Sequence, residues 1–350
     1  MAAISDVTVT MTLEQPAQTI GFGVPALWVP GTDNTYTEYE SIDDVLLNHK
    51  KDTNVYKNAA AFFKQAGHPH VFAVITFADM VEAFDLFSSK PWYFALYTQE
   101  DTGDDVTAQS NQDILLLSNL IEADQYRMMI VDLTYASSDN SDDFDAELYA
   151  DNTRTILAVK KSKTSNADEA EPFAANLVGA YGGRTVGSLN FHDLVVSGLT
   201  ADDWTAADIA TFTRGNAMLY VLKANNIAQT TNGKTASGQY IDVIMGIDWI
   251  ASQVRSELQN LLTETAKVTY DAAGIALMQS VVDNVMQTAY ANGIIDTNDA
   301  TQAADYTVTA LNRADLDQDD INKRIYNGLS YRYVPSGSVD MINVFGTVEL

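Results

Sequence analysis

No cysteine occurs among the 350 residues, which excludes disulfides, thiolate metal sites and cysteine nucleophiles. Basic residues are scarce: 20 Lys and Arg stand against 47 Asp and Glu, a formal charge of −27. Such a chain repels phosphate backbones and anionic lipid headgroups, and no local basic patch offsets it, so neither a nucleic-acid partner nor a membrane partner is expected. No window approaches 18 uninterrupted apolar residues, and membrane insertion is not expected either. The opening MAAISDVTVT lacks the charged and apolar regions of a signal peptide, which points to synthesis and assembly in a cytoplasm.

Catalytic and cofactor signatures fail one by one. GFGVPA at 21 to 26 has the letters of the dinucleotide fingerprint, but prolines at 25 and 30 and an extended Val24 to Val29 leave no helix to hold a pyrophosphate. It reads as a turn entering a strand. GKT at 233 to 235 lacks the first P-loop glycine, because position 228 is Ala228, and is read as a polar turn before a helix. Asp315, Asp317 and Asp319 have the spacing of a calcium loop, yet Asp320 and Tyr326 replace its glycine and its bidentate glutamate. Asp317 as a helix N-cap explains them more simply. The histidines are His49, His68, His70 and His192, with no HExxH and no third ligand beside the HPH run. No G-x-S-x-G elbow occurs, so catalytic, cofactor-binding and metal residues are all expected to be absent, and the protein is not expected to be an enzyme.

What is present is architecture. At 46% apolar the chain can bury a large core. GFGVPALWV, HVFAVIT (70 to 76), PWYFALYT (91 to 98), YRMMIVDLT (126 to 134) and TRTILAVKK (153 to 161) read as strands, separated by amphipathic helices at 54 to 67, 77 to 88, 107 to 123 and 141 to 150. This alternation predicts a layered α/β domain. Residues 99 to 150 hold thirteen Asp or Glu and one Arg, Arg127, and are expected to face solvent. Beyond 165, NADEAEPFAANLVGAYGG, AADIATFTRGNAMLYVL and GIDWIASQVRSELQNLL read as helices, as does Tyr270 to Asn292 with Gly293 as its stop. Residues 304 to 311 read as a strand and 317 to 329 as a helix whose N-terminal acids suit its dipole.

Both termini are strand-like. Val7, Val9, Met11 and Leu13 alternate with Thr8, Thr10, Thr12 and Glu14. Near the other end, Ile342, Val344, Val348 and Leu350 face one way, while Met341, Asn343, Phe345, Thr347 and Glu349 face the other. Either the two strands pair within one chain, since termini often lie close, or each completes a sheet of a neighbouring molecule by main-chain hydrogen bonds. Apolar burial by one arm does not offset the entropy of ordering its backbone, so the second arrangement needs several mutual contacts per subunit. On these residues alone the two readings stand level.

A resemblance separates them. From Gly233 onward, GKTASGQYIDVIMGIDWIASQVRSELQNLL, the helix ending YANGII, YTVTAL and NKRIYNGLSYRYVPSGSVDMINVFGTVEL resemble the C-terminal half of the contractile tail sheath proteins of bacteriophages. The shared pattern is a small-residue turn, a Tyr240-Ile241-Asp242 strand, Asp248-Trp249 opening a long helix, and a closing apolar strand. The first strand, Phe22 to Val29, TYTEYESIDDV and YKNAAAFFKQAGHPHVFAV fit the N-terminal half, and the departure lies in 99 to 150, read as an outer-surface elaboration. The resemblance implies a mixed α+β sheath subunit: an N-terminal strand arm (1–20), an outer α/β domain (21–225), an inner tube-facing domain (226–335) and a C-terminal strand arm (336–350). It further implies stacked six-membered rings around a tail tube, nucleotide-free contraction for genome ejection, tube, baseplate and tail terminator partners, and a place in the virion. The arm residues would be Val7, Val9, Met11, Leu13, Ile342, Val344, Phe345, Val348 and Leu350, and Asp319, Asp320, Lys323 and Arg324 would face the tube. The sheath of a phage-derived bacteriocin or other contractile injection particle fits the same residues, and an α/β enzyme or ligand-binding protein is the remaining alternative.

Overall fold

The computed structural model describes residues 22–100, 104–224 and 226–340. In chain order its elements are β1 (Pro25–Pro30), β2 (Thr35–Tyr39), α1 (Ile42–Asn48), α2 (Asn54–Phe63), β3 (Phe72–Phe77), α3 (Met80–Phe87), β4 (Phe94–Tyr97), α4 (Asp104–Asp124), β5 (Met128–Tyr135) and β6 (Thr155–Lys161). There follow α5 (Phe173–Tyr181), α6 (Ala206–Arg214), β7 (Met218–Leu222), β8 (Ala228–Thr230), α7 (Ile241–Glu264), α8 (Ala272–Ala291), β9 (Tyr306–Ala310), α9 (Gln318–Lys323) and β10 (Leu329–Tyr333).

Eight strands form one sheet in the order β2-β3-β1-β4-β5-β6-β7-β8, parallel from β3 to β7, with antiparallel β2 and β8 at its edges. The inner strands are apolar on both faces, as parallel strands covered on both sides must be. Leu27 and Val29 of β1 point into a core shared with α2 and α5, while Ala26 and Trp28 point into one shared with α3, α4 and α6. The first core continues without a break into Ile241, Ile244, Ile250 and Val254 of α7 and Val282, Val285 and Met286 of α8. The sheet and the C-terminal helices are therefore packed on one another. The expected boundary at residue 225 falls inside the β7–β8 hairpin, since β8 hydrogen bonds to β7.

Local signals explain most helix ends. Ser41, Thr53, Asp79 and Asp271 accept a backbone N–H from the first turn of α1, α2, α3 and α8, and Thr205 with Asp208 closes a reciprocal capping box on α6. Gly293, with φ of +86°, stops α8 as its left-handed follower.

The structure corrects several sequence expectations. Residues 141–150 are turns, because the Asn140 and Asp145 side chains accept the backbone N–H groups of Asp142 and Glu147, and Asp142 in turn accepts from the Asn140 side-chain amide. The stretch 206–222 is a helix only to Arg214; Asn216, at φ 59°, breaks it and β7 follows. Tyr240 is the N-cap of α7 and Ile241 and Asp242 are already helical, so no strand stands there and Asp248 lies in the second turn rather than at the opening. Helix α9 ends at Lys323, where Arg324 takes a left-handed φ of 63°, instead of running to residue 329. Finally, 99–150 is no outer elaboration: it supplies α4 and β5, a central strand whose Met128 to Val131 are buried.

Candidate assembly surfaces

Helices α7 and α8 pack as a pair, and β9 and β10 lie on them as an antiparallel two-stranded ribbon registered from Leu329↔Ala310 to Tyr333↔Tyr306. Both strands alternate. Tyr306, Val308, Ala310, Leu329, Tyr331 and Tyr333 are half-buried, while Thr307, Thr309, Ser330 and Arg332 are exposed. Gln279 and Gln287 of α8 fix the ribbon from below, donating to the Val308 carbonyl (3.1 Å) and the Tyr306 hydroxyl (2.5 Å). Leu311 N donates to Gly328 O and Val334 N to Asp305 O. By antiparallel alternation Thr307 then exchanges hydrogen bonds with Arg332 and Thr309 with Ser330, and the main-chain groups of Val308 and Tyr331 point to the ribbon's outer edges. Among the described residues no third strand pairs with either edge.

The chain leaves the ribbon under restraint. Pro335 bridges Ile295, and Ser336 N donates to Ile294 O at 2.9 Å. Two and four residues on, Asn190 Nδ2 donates to Ser338 Oγ (2.7 Å) and to Asp340 Oδ1 (3.2 Å), with His192 Nδ1 4.0 Å from the same carboxylate. The holding loop is itself constrained: Phe191 and Asp193 have φ of 61° and 59°, Lys223 pairs with Asp193, and a Cβ on Gly233 would lie 1.8 Å from the Asn190 carbonyl oxygen. Left-handed backbone in a phenylalanine persists only where its surroundings enforce it.

The predicted site residues fare unevenly. Val7, Val9, Met11, Leu13, Ile342, Val344, Phe345, Val348 and Leu350 lie outside the described residues. Asp317 caps α9 through the Asp319 N–H at 2.7 Å, as its position predicts. Asp319, Lys323 and Arg324 are exposed; Asp320 is half-buried and accepts from Asn327 Nδ2 at 2.8 Å. A shallow cavity of about 250 Å³ at the end of β6 is lined by Lys160, Lys163, Thr164 and Glu171, and its buried Lys160 is already paired with Asp202. Among the described residues no three His, Asp or Glu side chains converge as metal ligands, and no helix is long and apolar enough to cross a membrane.

Sequence reasoning missed the polar joint between sheet and helices. Arg154, just before β6, forks onto Asp248 of α7 through Nη1–Oδ2 (2.7 Å) and Nη2–Oδ1 (2.9 Å), and the Tyr93 hydroxyl donates to the same carboxylate at 2.7 Å. Burial pushes the Asp248 carboxyl up to about 6, against the opposing pull of Arg154 and Tyr93. Burial also works against the Arg154 charge, but Asp248 outweighs it and leaves the guanidinium above its ordinary range. The signal was present in sequence: Asp248 occupies the stripe of Ile241, Ile244 and Met245 at helical spacing, and an acid on an apolar face needs a partner.

No protein-family profile and no curated protein matches the sequence. Solved structures do. A chain of the anti-feeding prophage baseplate aligns over 100% of both chains with a TM-score of 0.69 at 15% identity. A chain of the contracted sheath complex of an extracellular contractile injection system, PVC, aligns over 99% of this chain and 98% of its own (TM-score 0.66, 9% identity). The sheath tail protein of Listeria innocua aligns over 91% and 96% (TM-score 0.56, 8% identity). At such identities the likeness is one of fold, but it runs the length of the chain and takes in the sheet, the helix pair and the ribbon together. The chain has the fold of the contractile tail sheath proteins, the family its sequence resembles.

Proposed function

We propose that the protein is the structural, non-enzymatic subunit of a contractile tail sheath. It assembles in the host cytoplasm as stacked six-membered rings around a tail tube, and it shortens without nucleotide when the baseplate releases it, driving the tube through the host envelope for genome ejection. The observation that carries this reading is the whole-length likeness to sheath chains. In this reading the terminal arms, residues 1–20 and 336–350, pair with ribbon edges of neighbouring subunits, so the wall stays connected while the lattice changes. The residues from 226 to 335 line the inside, with Asp319, Asp320, Lys323 and Arg324 toward the tube, and a tail terminator closes the far end. A second reading, the sheath of a contractile injection particle rather than of a phage, is favoured by the likeness to chains from two such systems.

Negative-stain microscopy of the purified protein tests the proposal. Hollow striated tubes are expected, and deletion of residues 341–350 or 1–14 abolishes them while leaving the helix content of the monomer intact. Particles that stay monomeric at high concentration refute the sheath reading; a monomer unfolded by either truncation refutes strand exchange.

A further inference from the structure

The charge of −27 is unevenly placed. Lys50, Lys51, Lys57 and Lys64 are too few to offset it, but they are concentrated: Asp52 is the one acid among residues 50–64, and no other follows until Asp79. All four lysines are exposed. Lys57 and Lys64 stand two turns apart and so share one side of α2, while Val55, Ala59 and Phe62 turn inward. Lys50 and Lys51 lie in the turn that joins α1 to α2. Among the described residues no carboxylate pairs with any of the four; Lys57 Nζ donates to Asn54 Oδ1 and Lys64 Nζ to the Gly198 carbonyl, each at 3.1 Å. Beside them α1, which packs on α2, leaves Leu46 40% and Leu47 83% exposed. A surface of lysines and bare leucines fits an acidic partner with an apolar group of its own.

The chain carries such a partner on its other side. Residues 139–151 hold six Asp or Glu and no Lys or Arg. All six acids are exposed, none pairs with a cation among the described residues, and Leu148 in their midst is 45% exposed. Phe144 and Tyr149 root this segment in the core on the Trp28 face of the sheet, whereas α2 covers the Leu27 face. Surfaces on opposite faces of one sheet cannot meet within a molecule, so their complementarity can be used only between copies. The resulting contact is heterologous: each copy offers its basic surface to one neighbour and its acidic surface to another, and the contact propagates as a ring or a helix. We propose that the surface from Leu46 to Lys64 of one copy docks on the acidic turns 139–151 of the next. The inference rests on the sheath reading, in which copies repeat. Exposed ion pairs add little strength, so the leucines supply the apolar contact and the charges select which surfaces meet. A basic surface with leucines also suits an anionic bilayer, but the overall charge opposes approach to one.

Two variants of the full chain test the contact. One carries Lys50→Glu, Lys51→Glu and Lys57→Glu; the other carries Asp143→Lys, Glu147→Lys and Asp151→Lys. The concentration left unassembled after sedimentation is measured for the parent, each variant and their equal mixture, at one ionic strength because salt also screens the overall repulsion. The lysine variant turns attraction into repulsion and should raise that concentration at least about tenfold. The acid variant should raise it too, although it lowers the net negative charge. In the mixture an intact basic surface meets an intact acidic one at alternate contacts, so it should assemble better than either variant alone. Carbodiimide coupling of mixed isotope-labelled and unlabelled parent supplies a readout that no variant can disturb by misfolding: amide cross-links from residues 50–64 of one copy to 139–151 of another are expected. Their absence from assembled protein overturns the contact, as does a lysine variant that assembles like the parent. Impaired assembly of the lysine variant with improved assembly of the acid variant follows from net charge alone and also overturns it. Binding of the parent to anionic vesicles that is lost in the lysine variant, with assembly unchanged, would assign the surface to a membrane instead. Each of these outcomes leaves the sheath reading standing, whereas a parent that stays monomeric refutes both.

Discussion

Replacing Arg154 by Met tests the joint between sheet and helices. The change removes two charge-assisted bonds at 2.7 and 2.9 Å and strands a carboxylate that is 2% exposed. At about 1.5 to 3 kcal/mol per bond to a charged group the loss is about 3 to 6 kcal/mol, in line with about 3 to 5 for breaking a buried pair from one side. That is a large share of a domain's usual stability of about 5 to 15 kcal/mol. The sign of its pH dependence follows from linkage. In the parent, burial already places Asp248 at about 6, above its ordinary 3.8. The folded state therefore holds this proton more tightly than the unfolded one, and the associated stability is lost as pH rises through about 6. Without Arg154 the folded value rises further, so the variant goes on losing stability above about pH 6, by at most about 1.4 kcal/mol per pH unit, where the parent no longer does. Urea unfolding of the unassembled chain, followed by tryptophan fluorescence at about pH 6 and about pH 8, should show a deficit that is larger at the higher pH. A deficit under about 1 kcal/mol at both, or one equal at both, refutes the account of the joint.

Thr205→Ala removes the capping box of α6, including the 2.6 Å bond to Asp208, and should cost about 1 to 2 kcal/mol in the same assay. Asp208 also holds the Ser141 N–H at 2.9 Å, so faster hydrogen exchange at Ser141 should accompany the loss. Gly233→Ala forces the new Cβ onto the Asn190 carbonyl; faster exchange at residues 336–340 is expected even where global stability holds, and no change there would mean that Asn190 does not restrain that segment. At −27 per subunit, tube formation should rise with salt, because the screening length falls from about 30 Å at 0.01 M to about 10 Å at 0.1 M; sedimentation showing salt-induced dissolution would indicate that attractive ion pairs dominate the contacts.

The sheet was legible in the sequence because its inner strands are buried on both faces and read as near-continuous apolar runs, as in Phe72–Phe77 with Thr76 its one polar residue. Helix α8 was legible from its periodicity and its Gly293 stop. What failed was local chemistry opposing pattern. Asn140 and Asp145 spend their side chains on nearby backbone N–H groups, and Asp142 bonds the Asn140 amide, which hydrophobic spacing does not register. YRMMIVDLT read as a strand, but the acidity of 99–150 suggested that the segment faces solvent, because the charges lie around the strand while Met128, Met129, Ile130 and Val131 are buried. Arg154 and Asp248 are 94 residues apart, and only the fold joins them. Of the candidate assembly residues, the cap at Asp317 was readable from its position; the hold of Asn190 on Ser338 and Asp340 spans 148 and 150 residues and left no local trace.

That hold sets the order in which a pull on the C-terminal segment is felt. Tension applied beyond Asp340 reaches the two Asn190 contacts first, then the Ser336–Ile294 bond, and only afterwards the ladder between β9 and β10. The three restraints lie in series along one strand of chain, so they yield one after another rather than sharing the load. The first of them ends on a loop that is bonded to β8 through Thr230. A neighbour that tugs on this segment thus loads the edge of the eight-stranded sheet before it disturbs the ribbon.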